Sequence, residues 1–383
     1  MGTADAAGVT KESAESKESD VNNGLQFPFG AASAPGSVTT IQPGVLWVRM
    51  TLPMKLDHIN LYVLEDDAGW WIVDTGLRGE ETRARWEHVF AEHLGGKPVV
   101  GIFCTHCHPD HIGQAGWLSE RWKAPLWMTH GEYYCGRVLS ELGKGGAEWE
   151  GLEFYRRAGA APEYLANFHQ RMRGFSGLAE PLPRSFHRVR AGDGFLIGGS
   201  RWEAVVGHGH SPEHLCLLNR ERKLLLAGDQ VIPLITPNIS VMAIEPEANP
   251  LEDWLASQRR FLELPDDVLV LPAHNTPFHG LHARLRRLIA HHEDHLAALE
   301  EACLAPRTVP QLLPVIFKRE LDVEQTALAL GECLAHLNFL VHSGRLRRVL
   351  DDDGLDRYVT LDPAVAARAG QSPHERDDGP VMV

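Results

Sequence analysis

A chain of 383 residues, 44% hydrophobic and 23% charged, has the balance of an ordinary soluble globular protein and room for one large domain plus a small one. Its 37 basic and 51 acidic residues give a formal net charge of -14, which disfavours sequence-independent nucleic-acid binding, because that relies on a positive surface. The six cysteines, Cys104, Cys107, Cys135, Cys216, Cys303 and Cys333, form no disulfide framework and point to a reducing compartment.

Residues 1–40 are rich in Ala, Ser, Gly, Glu and Asp and predict a disordered tail. They carry no basic segment leading into an apolar stretch. No apolar run anywhere approaches the roughly 20 residues that span a bilayer, so a cytoplasmic protein without a membrane partner is expected. Order is expected from Val45-Leu-Trp-Val-Arg-Met50. Leu61–Leu64 and Trp70–Val73 read as strands, separated by the turn signal at 65–69. A helix over 80–94 precedes the strand 99–104, which runs into a histidine cluster. From about 131 to 190 the pattern turns helical, with aromatic and basic residues mixed in, and reads as an insertion over the sheet. Strands resume at 195–197, 202–206, 215–218, 224–227 and 267–271, and a long helix covers 281–303. Residues 305–383 hold a small unit in the order helix, helix, β-hairpin, followed by a tail. These elements predict an α/β (α+β) catalytic domain over 41–304 with a winged-helix-like C-terminal domain.

Thr105-His106-Cys107-His108-Pro109-Asp110-His111 lies immediately after a strand. Alternation along an extended segment sends His106 and His108 to the same side, where both reach one metal ion. Asp110 and His111 follow in the turn and can face a second ion. Imidazole and carboxylate suit zinc, with iron or manganese also open. The pair Cys104/Cys107 reads as structural rather than as a metal or redox pair. His210, Asp229 and His274 each follow a strand-like run, in Gly209-His210, Gly228-Asp229 and Leu271-Pro-Ala-His274. Loop residues at strand ends can converge on one edge of a sheet. His214 reads as a supporting residue rather than a ligand. His208, and the helical pair His291 and His295, are not expected to bind metal.

The order Asp74-Thr-Gly76, His106-x-His108-x-Asp110-His111, Gly209-His210, Gly228-Asp229 and Pro272-Ala-His274 resembles the five motifs of the metallo-β-lactamase superfamily, over about 45–304. The resemblance implies an αββα sandwich and two divalent ions, with zinc the leading choice. His106, His108 and His210 would hold the first ion. Asp110, His111 and His274 would hold the second, Asp110 being also the candidate catalytic carboxylate, and Asp229 would bridge both. Asp74 would act from outside the ligand set by orienting a ligand. The implied chemistry is attack on a carbonyl or phosphoryl centre by a hydroxide shared between the ions.

With its C-terminal unit, the chain is similar to the branch related to β-lactamase-like protein 2 and the glyoxalase-II-type thioesterases. True β-lactamases of this fold usually lack a bridging aspartate such as Asp229. The favoured reading is therefore hydrolysis of an ester, thioester or lactone of a small acyl substrate. A metal-dependent ribonuclease or phosphodiesterase is the alternative, and an iron-dependent persulfide dioxygenase is a third. Lys318, Arg319, Arg345, Arg347 and Arg348 are the basic residues a nucleic acid would use, but Asp351, Asp352 and Asp353 adjoin them. The C-terminal unit is accordingly expected to serve as a cap or a homodimer contact.

Overall fold

The computed structural model describes residues 24–30, 34, 36–54, 56–142 and 149–361. Two sheets lie face to face. The first holds β1 (Val38–Gln42), β2 (Val45–Thr51), β3 (His58–Asp66), β4 (Gly69–Val73), β5 (Val99–Phe103), β6 (Leu126–Met128) and β7 (His187–Arg188), side by side in that order. Strands β1 to β4 run antiparallel to their neighbours, and β4 to β7 run parallel. The second sheet has the order β12-β11-β10-β9-β8, from β8 (Gly194–Ile197), β9 (Ser200–Gly207), β10 (His214–Asn219), β11 (Leu224–Gly228) and β12 (Leu269–Pro272).

The near-continuous apolar runs of these strands are explained by burial on both faces. On β3, Ile59, Leu61 and Val63 point outward to a helical layer, while Tyr62 and Leu64 point inward between the sheets. On β11, Leu224 and Leu226 point inward, and Leu225 and Ala227 outward. The inner layer is closed by Trp47, Phe103, Trp202 and Leu271. Outside the first sheet pack α1 (Glu80–Glu92) and α3 (Ala115–Trp122), through Trp86, Val89, Phe90 and Leu118. Outside the second pack α8 (Pro250–Phe261) and α9 (Leu281–Ala302), through Leu251, Trp254, Leu285 and Leu288. This is the expected helix–sheet–sheet–helix sandwich.

Order begins ahead of Val45. Leu25 is buried, Gln26 exchanges backbone hydrogen bonds with His279, and Phe27 packs on Phe278 at 6.3 Å. Strand β1 then adds an edge to the first sheet. A low apolar content hides the few anchors that matter, so composition alone reads this stretch as tail. The remainder of the expected tail, 1–23, 31–33 and 35, and residues 362–383 lie outside the described residues.

The C-terminal unit comprises β13 (Arg307–Thr308), α10 (Val309–Ile316), α11 (Val323–His342), β14 (Leu346–Leu350) and β15 (Asp356–Thr360), its strands ordered β13-β15-β14. Capping boxes at Thr308/Gln311 and Asp322/Gln325 start the two helices. Its apolar residues do not form a separate core. Val309, Leu312, Leu334, Leu337 and Tyr358 join the same cluster as Trp254 and Leu285 of the sandwich. The insertion is helical, as the sequence predicts: α4 (His130–Leu139), α5 (Trp149–Arg157), α6 (Pro162–Ala166) and α7 (Phe168–Ser176). Ala158, Ala160, Tyr164 and Phe168 also enter that shared core. Arg157 pairs with Asp356 at 2.7 Å, and Arg156 donates to the Gly354 carbonyl at 3.2 Å. The insertion is thus tied to the C-terminal unit as well as to the sandwich. Among the described residues, no helix is long and apolar enough to cross a membrane.

Candidate metal centre

Every sequence-predicted metal residue sits where a strand ends. His106, His108, Asp110 and His111 follow β5, the last two within the short α2 (Pro109–Ile112), and His210, Asp229 and His274 follow β9, β11 and β12. In the second sheet β9, β11 and β12 all run the same way, so their C-terminal ends share one edge. Backbone bonds tie the ends together: Leu215 N–H donates to Thr105 C=O at 2.8 Å, and Ala273 N–H to Gly228 C=O at 3.0 Å.

At that edge the side chains converge in two groups, His106, His108, His210 and Asp229, and Asp110, His111 and His274. In the first, His106 Nε2 lies 2.8 Å from His108 Nδ1 and 3.3 Å from His210 Nε2. In the second, Asp110 Oδ2 lies 3.6 Å from His111 Nε2 and 3.5 Å from His274 Nε2. Asp229 reaches both. Its Oδ2 is 3.5 Å from His210 Nε2 and 3.6 Å from His111 Nε2, and its Oδ1 is 3.4 Å from His274 Nε2. Asp110 and His108 are partly exposed and mark the open side, whereas His106, His111, His210, Asp229 and His274 are buried.

The far nitrogens of the rings are already engaged. His210 Nδ1–H donates to the Asn238 carbonyl at 2.8 Å and His274 Nδ1–H to the His58 carbonyl at 2.9 Å. His111 Nδ1–H donates to Asp74 Oδ2 at 2.9 Å, and His106 Nδ1 meets the Thr105 hydroxyl at 3.1 Å. Each such contact orients its ring with the inward nitrogen facing the cluster. Asp74 holds a left-handed φ of 63° at the end of β4, which brings its carboxylate under the cluster. There it also accepts from Thr105 N–H at 2.7 Å. His214 Nε2 accepts from Asp229 N–H at 3.0 Å, so it positions, from outside, the carboxylate that reaches both groups. Gly228 is required beside it, because a Cβ there would stand 2.5 Å from the His214 ring.

Charge divides the two groups. Burial holds His106 and His108 well below the usual imidazole range, so both are neutral. Burial opposes the charge of His111 too, but Asp110, Asp74 and Asp229 outweigh it and hold that ring well above the usual range. His274 is raised for the same reason, by Asp229 and Asp110 against burial. Burial likewise opposes the charge of Asp229, and His274 and His111 overcome it, keeping the carboxylate ionised. The residues fit a metal: His111 Nε2 and Asp229 Oδ1 are buried with no hydrogen-bond partner, the condition that an ion would relieve.

His208 turns away, its Nδ1 against the Pro212 carbonyl at 2.7 Å. His291 and His295 join His292 and His336 in a separate group between α9 and α11 and belong to neither metal group. The sequence reading missed the braces. Glu132, buried on α4, accepts from Cys107 N–H at 2.8 Å, Ser211 O–H at 2.6 Å and Glu213 N–H at 2.7 Å, joining the loops of His106 and His210. His58, Thr105 and the Asn238 carbonyl were missed as well. Thr105 carries a weak signal in adjoining His106, whereas His58 and the backbone carbonyl carry none.

A sandwich of this order, with histidines and aspartates converging from strand ends, defines a metal-dependent hydrolase. The chain belongs to the metallo-β-lactamase superfamily. Residues 54–274 match the family described as Metallo-beta-lactamase superfamily, and residues 296–361 match the Metallo-beta-lactamase-like, C-terminal domain. A beta-lactamase domain protein from Burkholderia ambifaria is 40% identical over 89% of this chain and 100% of that one, with a TM-score of 0.82. A metallo-beta-lactamase family protein from Thermus thermophilus is 27% identical over 84% of this chain and 100% of that one, with a TM-score of 0.70. An atrochrysone carboxyl ACP thioesterase from Aspergillus fumigatus is 25% identical over 59% of this chain and 55% of that protein.

Proposed function

We propose that this protein hydrolyses an ester, thioester or lactone of a small acyl substrate at a dinuclear zinc centre. His106, His108 and His210 would hold one ion, and Asp110, His111 and His274 the other, with Asp229 between them. The observation that carries this reading is the Asp229 carboxylate, whose two oxygens lie 3.5 Å from His210 Nε2 and 3.4 Å from His274 Nε2. Two such ions, when bound, lower the pKa of a shared water toward neutrality and polarise the bond under attack. The chain's own part is positional. Neutral His106 and His108 offer lone pairs without prior proton loss. Asp74, the His58 carbonyl and the Asn238 carbonyl fix ring orientation, and the partly exposed His108 and Asp110 leave one side open to substrate.

Two features favour an acyl substrate over RNA. Three basic residues of the C-terminal unit, two of them nucleic-acid candidates, are paired with carboxylates: Arg345 with Glu300, Arg348 with Glu247 at 2.6 Å, and Arg357 with Asp351. A net charge of -14 adds to this. The similarity to an acyl-carrier thioesterase points the same way.

The test is a panel of thioesters, lactones, aryl esters, a phosphodiester and single-stranded RNA, run on zinc-loaded protein beside His106→Ala. Acyl turnover that vanishes in the variant is expected. Cleavage of RNA or the phosphodiester alone would replace the substrate class and make the C-terminal unit a nucleic-acid element.

A further inference from the structure

The segment between β11 and α8, residues 229–249, forms no helix or strand of its own. Its shape is therefore set by what it packs against: Gln258 of α8 and Arg284 of α9 hold the carbonyls of Gln230, Ile232 and Ile235, and from Asn238 onward the C-terminal unit holds it. Val241 N–H donates to the Gly331 carbonyl of α11 at 3.1 Å. Asn338, also on α11, donates to the carbonyls of Pro246 at 3.2 Å and Ala248 at 2.9 Å. Ile239 and Val241 share a core with Ala329, Leu330 and Cys333. The approach is close enough to need a glycine, since a Cβ on Gly331 would stand 2.8 Å from Ser240 Oγ.

Within this clamp, one path leads to the metal centre. Glu332 on α11 is fully buried, and its Oε2 accepts from Asn238 Nδ2 at 3.1 Å. Its other oxygen, Oε1, is buried without a hydrogen-bond partner. The Asn238 carbonyl in turn accepts from His210 Nδ1–H at 2.8 Å. A buried, half-satisfied carboxyl costs stability by itself, so its presence calls for a return elsewhere.

We propose that Glu332, acting through Asn238, is a positioning residue for the metal ligand His210, so that the C-terminal domain completes the metal centre. Side chain to side chain, then carbonyl to imidazole, the chain holds the ring so that Nε2 faces the other ligands. Outer partners of metal-bound histidines commonly change metal affinity by about 10–100-fold when removed. A partner acting through an intervening residue belongs at the lower end, about tenfold. The proposal rests on the metal-centre reading above, and its test separates the two.

Four proteins are compared: wild type, Glu332→Leu, Glu332→Gln and His106→Ala. Zinc affinity and stoichiometry are measured by competition with a chromophoric chelator. The visible spectrum of cobalt-loaded protein reports ligand geometry, and melting is followed in metal-free protein. E332L is expected to lose about tenfold in affinity at one site and to shift the cobalt spectrum, while its metal-free melting temperature holds or rises. E332Q keeps an acceptor for Asn238 and is expected to behave as wild type. If E332L does not fold, Asn238→Ala, which keeps the carbonyl and removes the anchored side chain, carries the same expectation. Wild-type affinity and spectrum in E332L, alongside metal loss in H106A, overturns the positioning role and leaves the metal centre standing. So does a loss in E332L that tracks reduced melting and is not rescued in E332Q. Full metal retention in H106A overturns the metal-centre reading itself.

Discussion

Replacing Asp74 by Asn isolates the contribution of a single buried charge. Asn tolerates the left-handed backbone that Asp74 adopts at φ 63°, and it matches the carboxylate in shape, so the strand end is expected to keep its path. What changes is the acceptor facing His111 Nδ1–H, now 2.9 Å away. Hydrogen bonds to a charged group are worth roughly 1.5–3 kcal/mol each. Thr105 N–H, bonded to Oδ1 at 2.7 Å, keeps an acceptor in the amide oxygen. The loss is therefore concentrated on His111. Carried to the metal, about 1.4–2.8 kcal/mol is about a 10–100-fold weaker site. Zinc competition titration of D74N should show this weakening at the site containing His111 and a smaller change at the site containing His106. Hydrolytic turnover at limiting zinc should fall in parallel, and excess zinc should restore part of it. Equal affinity at both sites in D74N and wild type would refute the claim that Asp74 acts through His111.

The two ligand groups should be separable by mutation. His274→Ala is expected to bind one zinc per chain where wild type binds two, whereas Asp229→Ala should weaken both, as counted by elemental analysis after dialysis. Stoichiometry unchanged in D229A would rule out bridging. Gly228 sits at φ +51° with room for no side chain beside His214, so Gly228→Ala should cost about 2–5 kcal/mol in urea unfolding from backbone strain and overpacking. A cost below about 1 kcal/mol would show that the loop adapts. Burial pushes the Glu332 carboxyl from 4.5 up to about 8, so the folded chain keeps a proton that the unfolded chain releases. The stability it contributes is full below pH 4.5 and is lost as pH rises toward 8, by about 1.4 kcal/mol per unit. E332Q should flatten that decline in metal-free protein, and parallel curves for the two proteins would contradict a buried neutral carboxyl.

Much of the candidate centre was legible because its proposed ligands are side chains in dense, ordered motifs. His106, His108, Asp110 and His111 lie within six residues, and each remaining ligand follows a strand-like run. The two packed sheets were implied by the family resemblance, and near-continuous apolar runs such as Leu215–Leu218 suit strands buried on both faces. Other features had no linear signature. Glu132 looks in sequence like one acid on an insertion helix, yet three donors from two loops converge on it. The Asn238 and His58 carbonyls hold their histidines by backbone atoms, which every residue possesses. The C-terminal unit reads as separate because a hairpin and two helices suffice to describe it. Only folding brings Leu312, Leu337 and Tyr358 against the outer helices of the sandwich to share one core. Local pattern determines which residue types lie near a strand end, because that depends on neighbours along the chain. Which orphaned donor meets which distant carbonyl depends on packing between elements, and that is decided only when the whole chain closes.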